Sequence, residues 1–165
     1  MMIAEKMLKE LNKQINEEMY SSYVYLSMAA YLESENFPGF AQWMKMQSEE
    51  EYAHSMKFYH YINEVMGRVE LLEIKKPPMK WKSVLDSFQT ALKHELHITE
   101  RINLLANLSL ELKDHATHNF LHWFIDEQVE EVNSVSQVVD KLKFLGDSPS
   151  ALYLLDKELG KRKEG

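Results

Sequence analysis

The chain has 165 residues, the size of one ordinary domain, and its 45% apolar and 27% charged residues describe a chain that folds instead of staying disordered. Nineteen Lys and Arg against 26 Asp and Glu leave a net charge of −7, which disfavours nucleic acid or an anionic membrane as the main partner and favours cations. There is no cysteine, so disulfides, thiolate zinc sites, iron–sulfur clusters and cysteine nucleophiles are excluded, and any metal must bind through oxygen and nitrogen. No run approaches the ~18 apolar residues of a membrane span. Met1-Met2-Ile3-Ala4-Glu5-Lys6 is charged almost at once where a signal peptide would turn apolar, so a cytoplasmic location without a membrane partner is expected. Only five Gly and four Pro punctuate the chain, which implies long uninterrupted elements.

Apolar residues at alternating steps of three and four predict four long helices. The first seam runs Leu8, Leu11, Ile15, Glu18, Ser22, Tyr25, Ala29, Leu32. It ends before Ser34-Glu35-Asn36-Phe37-Pro38, where Asn36 is expected to cap a second helix and Pro38 to open it. The second seam reads Met44, Gln47, Glu51, His54, Phe58, Tyr61, Val65 and stops at Gly67, expected as its left-handed C-terminal residue. A polar, Pro-containing stretch from Gly67 to Lys82 follows; its 16 residues reach about 50 Å at ~3.3 Å each, enough to cross the length of a 30-residue helix. The third seam, behind a cap near Ser83-Val84-Leu85-Asp86, reads Val84, Phe88, Ala91, Glu95, Ile98, Ile102, Leu105. Asp114 caps the fourth, which reads Leu121, Phe124, Gln128, Glu131, Val135, Val138, Leu142, Leu145 and closes at Gly146. A short helix from about Ser150 to Leu159 must dock to be stable. The expected organisation is all-α: one domain over residues 1–165, with a four-helix bundle over 1–146, one long crossover between helices 2 and 3, and a fifth helix and tail over 147–165.

The seams are interrupted near their middles by Glu18, by Glu51 with His54, by Glu95, and by Gln128 with Glu131. Helices of equal length align their midpoints, so these six side chains should meet in one layer of the core. Glu51 follows Glu18 by 33 residues, Gln128 follows Glu95 by 33, and each second member is followed three residues later by another polar group, so the halves look like degenerate copies. No Lys or Arg occupies a seam position. Buried carboxylates without basic partners must protonate or bind a cation, and a pair of metal ions is the economical solution. Oxygen-rich ligands with one imidazole suit Fe²⁺, Mn²⁺ and Fe³⁺ better than structural zinc. Beside the layer, Glu50, Glu127 and Glu130 form a second acidic set, read either as a solvated face or as a third, outer metal position.

Four segments carry a family resemblance: Glu18-Met19-Tyr20-Ser21-Ser22-Tyr23, Glu49-Glu50-Glu51-Tyr52-Ala53-His54, Lys93-His94-Glu95 and Asp126-Glu127-Gln128-Val129-Glu130-Glu131. Together and in this order they resemble the ferroxidase segments of the non-haem ferritins of bacteria and archaea, over essentially the whole chain. The resemblance implies the ferritin-like fold and a diiron centre, one iron at Glu18, Glu51 and His54 and a second at Glu51, Glu95 and Glu131, with Gln128 nearby. A third site would use Glu50, Glu127, Glu130 and Glu131. Tyr25 matches the tyrosine beside that centre, where it can donate a hydrogen bond or an electron; its spacing fits a core aromatic equally well. The implied function is iron storage and detoxification: Fe(II) is oxidised by O₂ or peroxide and deposited as mineral inside a homo-oligomeric shell, 24 subunits in the family. The short fifth helix and the crossover side chains Leu71, Leu72 and Trp81 would serve subunit contacts.

The departures also carry expectations. Bacterioferritins bear a second Glu-x-x-His in the fourth helix, where this chain has Gln128 to Glu131, and their haem-ligating Met would fall at Tyr52, so haem is not expected. Near the start of the fourth helix, Asn119 and His122 stand where animal ferritins line an iron channel with acids, and His115, His118 and His122 share a face as surface histidines or a channel metal site. The alternative function is a rubrerythrin-like diiron oxidase or peroxidase without storage, whose usual Cys-x-x-Cys module this chain cannot form. A purely structural bundle would need basic seam partners. A DNA-protecting miniferritin would place its ligands across a dimer interface and is disfavoured for a chain whose basic tail is only Lys161-Arg162-Lys163.

Overall fold

Apolar residues at three- and four-residue steps give four helices of 27–31 residues and a short fifth: α1 (Glu5–Ser34), α2 (Pro38–Glu64), α3 (Val84–Glu111), α4 (His115–Leu145) and α5 (Pro149–Leu159). The computed structural model describes residues 3–163, so the extreme ends of the domain expected over 1–165, including Met1 and Met2, lie outside the described residues. Among the described residues there is no strand, and no helix is long and apolar enough to cross a membrane.

The core is two apolar clusters with a polar layer between them. One cluster joins Val24–Leu32 of α1 to Phe40–Met44 of α2, Val84–Ala91 of α3 and Val135–Leu142 of α4. The other joins Met7–Ile15 of α1 to Phe58–Ile62 of α2, Ile98–Leu108 of α3 and Leu121–Phe124 of α4. The end of α1 thus meets the start of α2, and the start of α3 meets the end of α4, so both pairs are antiparallel while α2 and α3 run the same way. Consecutive helices that run the same way need a connection as long as the bundle. Side chains of α1 pin that connection along the bundle: Asn12 donates to the Arg68 carbonyl at 3.0 Å and accepts from the Glu70 N–H at 2.9 Å, Asn16 donates to the Glu73 carbonyl at 2.9 Å, and Ser27 donates to the Pro78 carbonyl at 2.5 Å. Leu71 and Leu72 are exposed as expected, whereas Trp81 is partly buried with its ring 5.5 Å from Tyr31.

Side chains cap three of the five helix starts, two of them at the expected residues Ser83 and Asp114. Ser83 accepts from Asp86 N–H, Asp114 from Thr117 N–H, and Ser148 from Ala151 N–H. Two expectations are corrected. Asn36 does not cap α2; it takes the left-handed conformation (φ 65°) that ends α1, a state asparagine tolerates. The N-cap of α2 is Phe37, which has no side-chain acceptor, and the missing cap comes from α5: Phe40 N–H donates to Asp156 Oδ1 at 2.9 Å. Likewise the left-handed residue after α2 is Met66 (φ 59°), not Gly67. Gly67 packs closely there: a Cβ would come 2.8 Å from Leu8 Cδ1, so the tip of that side chain would have to shift to admit one.

Candidate metal centre

The six side chains that interrupt the seams meet between the two apolar clusters. Glu18 comes from α1, Glu51 and His54 from adjacent turns of α2, Glu95 from α3, and Gln128 and Glu131 from adjacent turns of α4, and all six are at most 4% exposed. His54 Nδ1 lies 3.5 Å from Glu51 Oε2 and 3.8 Å from Glu18 Oε2, and these three buried atoms have no hydrogen-bond partner. Burying polar atoms unsatisfied is costly, so three lone-pair donors aimed at one another describe a chelate for a cation. Glu51, Glu95 and Glu131 likewise offer oxygens within 4.8 Å of one another. Glu51 belongs to both groups, which is the arrangement of a bridging carboxylate.

Protein donors hold the remaining carboxylate oxygens. Tyr25 Oη donates to Glu95 Oε1 at 2.6 Å, and Gln128 Nε2 donates to Glu95 Oε2 at 3.2 Å and to Thr99 Oγ1 at 3.2 Å. Gln14 Nε2 donates to Glu18 Oε1 and Gln47 Nε2 to Glu51 Oε1, both at 3.0 Å, and Gln47 Nε2 also donates to Glu131. Among the described residues no Lys or Arg pairs with Glu18, Glu51, Glu95 or Glu131. Burial first, then the Glu95 charge, pushes the Glu51 carboxyl well above its ordinary range and Glu131 up to about 10. Glu95 rises only to about 6, because the hydrogen bonds from Tyr25 and Gln128 offset part of its burial. Burial, then Glu95, also pushes the Tyr25 phenol well above its ordinary range, so it stays a donor.

The outer set divides. Glu127 Oε1 lies 3.9 Å from His54 Nε2, and His54, Glu127 and Glu131 form a third group of candidate ligands. Glu50 instead pairs with Arg162 at 3.0 Å, and Glu130 faces solvent. Trp123 and Phe124 wall the far side of His54, with ring centroids 5.3 and 6.0 Å from the imidazole. At the start of α4, His118 and His122 approach through their Nε2 atoms at 3.2 Å, while His115 and Asn119 are exposed.

The apolar seams alone do not reveal Gln14, the role of Gln47, or the arginines that donate to their amide oxygens, Arg101 to Gln14 and Arg162 to Gln47. Gln14 and Gln47 lie four residues before Glu18 and Glu51 and so repeat their 33-residue offset, a signal that was available. His94, from the Lys93-His94-Glu95 motif, is largely buried against Ser21 Oγ, and burial lowers it to about 4, so it is neutral.

The family model for the ferritin-like domain matches residues 8–145. The chain is 38% identical over 161 residues to the bacterial non-heme ferritin of Staphylococcus aureus, covering 98% of this chain and 97% of that protein. It is 38% identical over 159 residues to a probable bacterial non-heme ferritin-like protein of Haemophilus influenzae, 96% of each. Among solved structures, an open-pore ferritin from the hyperthermophilic archaeon Archaeoglobus fulgidus superposes with a TM-score of 0.97 at 45% identity, covering 98% of this chain and 99% of that one.

Proposed function

The chain belongs to the ferritin family, and from that premise we propose that it stores iron by binding Fe(II) in the polar layer and oxidising it there to Fe(III). One Fe(II) takes Glu18, Glu51 and His54, and the second takes Glu51, Glu95 and Glu131. The observation that carries this reading is the trio Glu18 Oε2, Glu51 Oε2 and His54 Nδ1, buried and without partners, beside the Glu51, Glu95 and Glu131 group. Hard carboxylate oxygens with a single imidazole favour iron over zinc.

Two Fe(II) ions side by side supply the two electrons that turn O₂ and two protons into hydrogen peroxide. With peroxide as oxidant, the same two electrons and two protons give two waters. The four carboxylates oppose the charge of the ferric product, and their displaced protons leave as the metal binds. Tyr25 and Gln128 hold Glu95, and Gln47 holds Glu51 and Glu131, so the ligands keep their places while the iron charge changes. Tyr25 donates a hydrogen bond to Glu95 and stands within reach as an electron donor. A third, outer iron would use Glu127 and Glu131, with Glu130 at the solvent edge and Glu50 once released from Arg162, since the one lone pair of a neutral His54 imidazole is given to the first iron. The Fe(III) product then passes into a homo-oligomeric shell, of 24 subunits by family resemblance; exposed Leu71, Leu72, Phe144 and Leu154 supply apolar surface for subunit contacts.

The test is aerobic addition of Fe(II) to the metal-free protein, followed by the ferric absorbance. Glu51→Ala and His54→Ala are expected to abolish the fast phase while circular dichroism keeps its helical signal; oxidation at the parent rate in either variant would reject the centre.

A further inference from the structure

Gln14 and Gln47 are separated by the 33 residues that separate Glu18 from Glu51, and each donates to the carboxylate four residues later at 3.0 Å. A glutamine amide helps a carboxylate only with its nitrogen turned inward; reversed, its carbonyl oxygen faces the carboxylate and repels it. Whatever binds the amide oxygen therefore decides which way the group points. For Gln14 that partner is Arg101 of α3, whose Nε donates to Oε1 at 3.2 Å while its guanidinium grips Glu10 at 3.2 Å.

For Gln47 the partner comes from outside the four-helix bundle. Arg162, beyond α5, donates from Nη2 to Gln47 Oε1 at 3.1 Å and pairs with Glu50 at 3.0 Å. Its Nη1 donates to the Trp43 carbonyl at 3.3 Å, and its guanidinium lies 4.5 Å over the Trp43 ring. The flat fork of arginine can serve two acceptors, an ion pair and an aromatic face at once, which an ammonium cannot. The approach is built into the backbone. A Cβ on Gly160 would come 2.9 Å from Gly39 Cα, and one on Gly39 would come 1.7 Å from the Asp156 carbonyl oxygen. Only paired glycines let the chain after α5 lie close enough to α2 for Arg162 to reach Gln47.

We propose that Arg162 is a positioning residue for the second metal position, acting through Gln47: it fixes the amide so that its N–H groups hold Glu51 and Glu131. Arg101 and Gln14 do the same for Glu18 at the first position. Two copies of an Arg–Gln–Glu relay, one closed within the bundle and one closed by the C-terminal segment, make the second position depend on that segment being docked. The inference rests on the metal-centre reading above.

The test is anaerobic titration of the full chain with Co(II), read by its visible d–d bands, whose intensity reports coordination independently of iron oxidation. The parent protein takes up two Co(II). Arg162→Ala is expected to weaken the second step by roughly 10–100-fold, the range for outer-shell partners, and the first step less, because Gln47 holds two ligands of the second position, Glu51 and Glu131, and only the shared Glu51 of the first. Arg101→Ala weakens the first instead, and Gln47→Met reproduces the Arg162→Ala loss, after which adding Arg162→Ala changes nothing further. Parent affinity at both steps in Arg162→Ala would overturn the proposal. So would a loss that persists in full on the Gln47→Met background, or an equal loss at both steps accompanied by melting of the helices. A parent protein that took up no Co(II) would remove the metal-centre reading itself, a result distinct from these.

Discussion

The two halves of the polar layer repeat each other in sequence and differ in how far the protein satisfies them. In the α1–α2 half, Glu18 Oε2, Glu51 Oε2 and His54 Nδ1 face one another without partners. In the α3–α4 half, Glu95 receives hydrogen bonds from Tyr25 and Gln128, and Glu131 from Gln47. By the 33-residue offset Gln128 stands where the first half has Glu51, and Glu131 where it has His54, so a carboxylate oxygen open to a cation is replaced by an N–H that donates to Glu95. The first half is thus poised for a dication, whereas the second is already half-compensated by the protein. The two positions should fill in order, the one with histidine first.

The largest expected effect breaks that order. His54→Ala removes the only nitrogen ligand of the first position, so the first Co(II) step should weaken by more than the roughly 100-fold upper range of an outer-shell change. Glu131→Gln should spare that step and impair the second; loss of the first step in Glu131→Gln and not in His54→Ala would reverse the assignment. A second, intermediate effect is the pH dependence of the metal-free protein. Folded Glu131 and Glu95 bind protons more tightly than the unfolded chain, with values of about 10 and about 6 against an ordinary 4.5. Their contribution to stability is therefore fully present below about pH 4.5 and is lost as pH rises, through about 6 for Glu95 and about 10 for Glu131. The metal-free protein should melt lower at pH 8 than at pH 5, and Glu131→Gln should flatten that slope; divalent metal, which needs the deprotonated ligands, should stabilise more at pH 8. A melting temperature that rose with pH in the metal-free parent would contradict the buried-charge account. The smallest effect is Tyr25→Phe, which removes one of the donors to Glu95. It should weaken the second Co(II) step by about 10-fold and leave the first alone; an equal change at both would dissolve the distinction between the halves.

Much of this was legible in the sequence because helical periodicity is a property of neighbours. The four seams, the crossover and the meeting of Glu18, Glu51, His54, Glu95, Gln128 and Glu131 all follow from spacing. Helix ends were less readable, because Asn36 satisfies both the rule for starting a helix and the rule for stopping one, and the structure uses the second. Gln14 escaped notice because a glutamine on a helix carries no mark of burial until its neighbours on other helices are known. Arg162 could not be assigned from spacing at all: its contact with Gln47 spans 115 residues, and locally it is one cation in a short basic tail.

The cap that Asp156 gives to Phe40 joins residues 116 apart in the chain. A ribosome therefore finishes α2 long before it makes the carboxylate that closes its first turn. Until α5 emerges, that turn must share its amide with water, so a chain cut short before Asp156 would keep a frayed helix start. A segment made 116 residues later thus completes the start of α2.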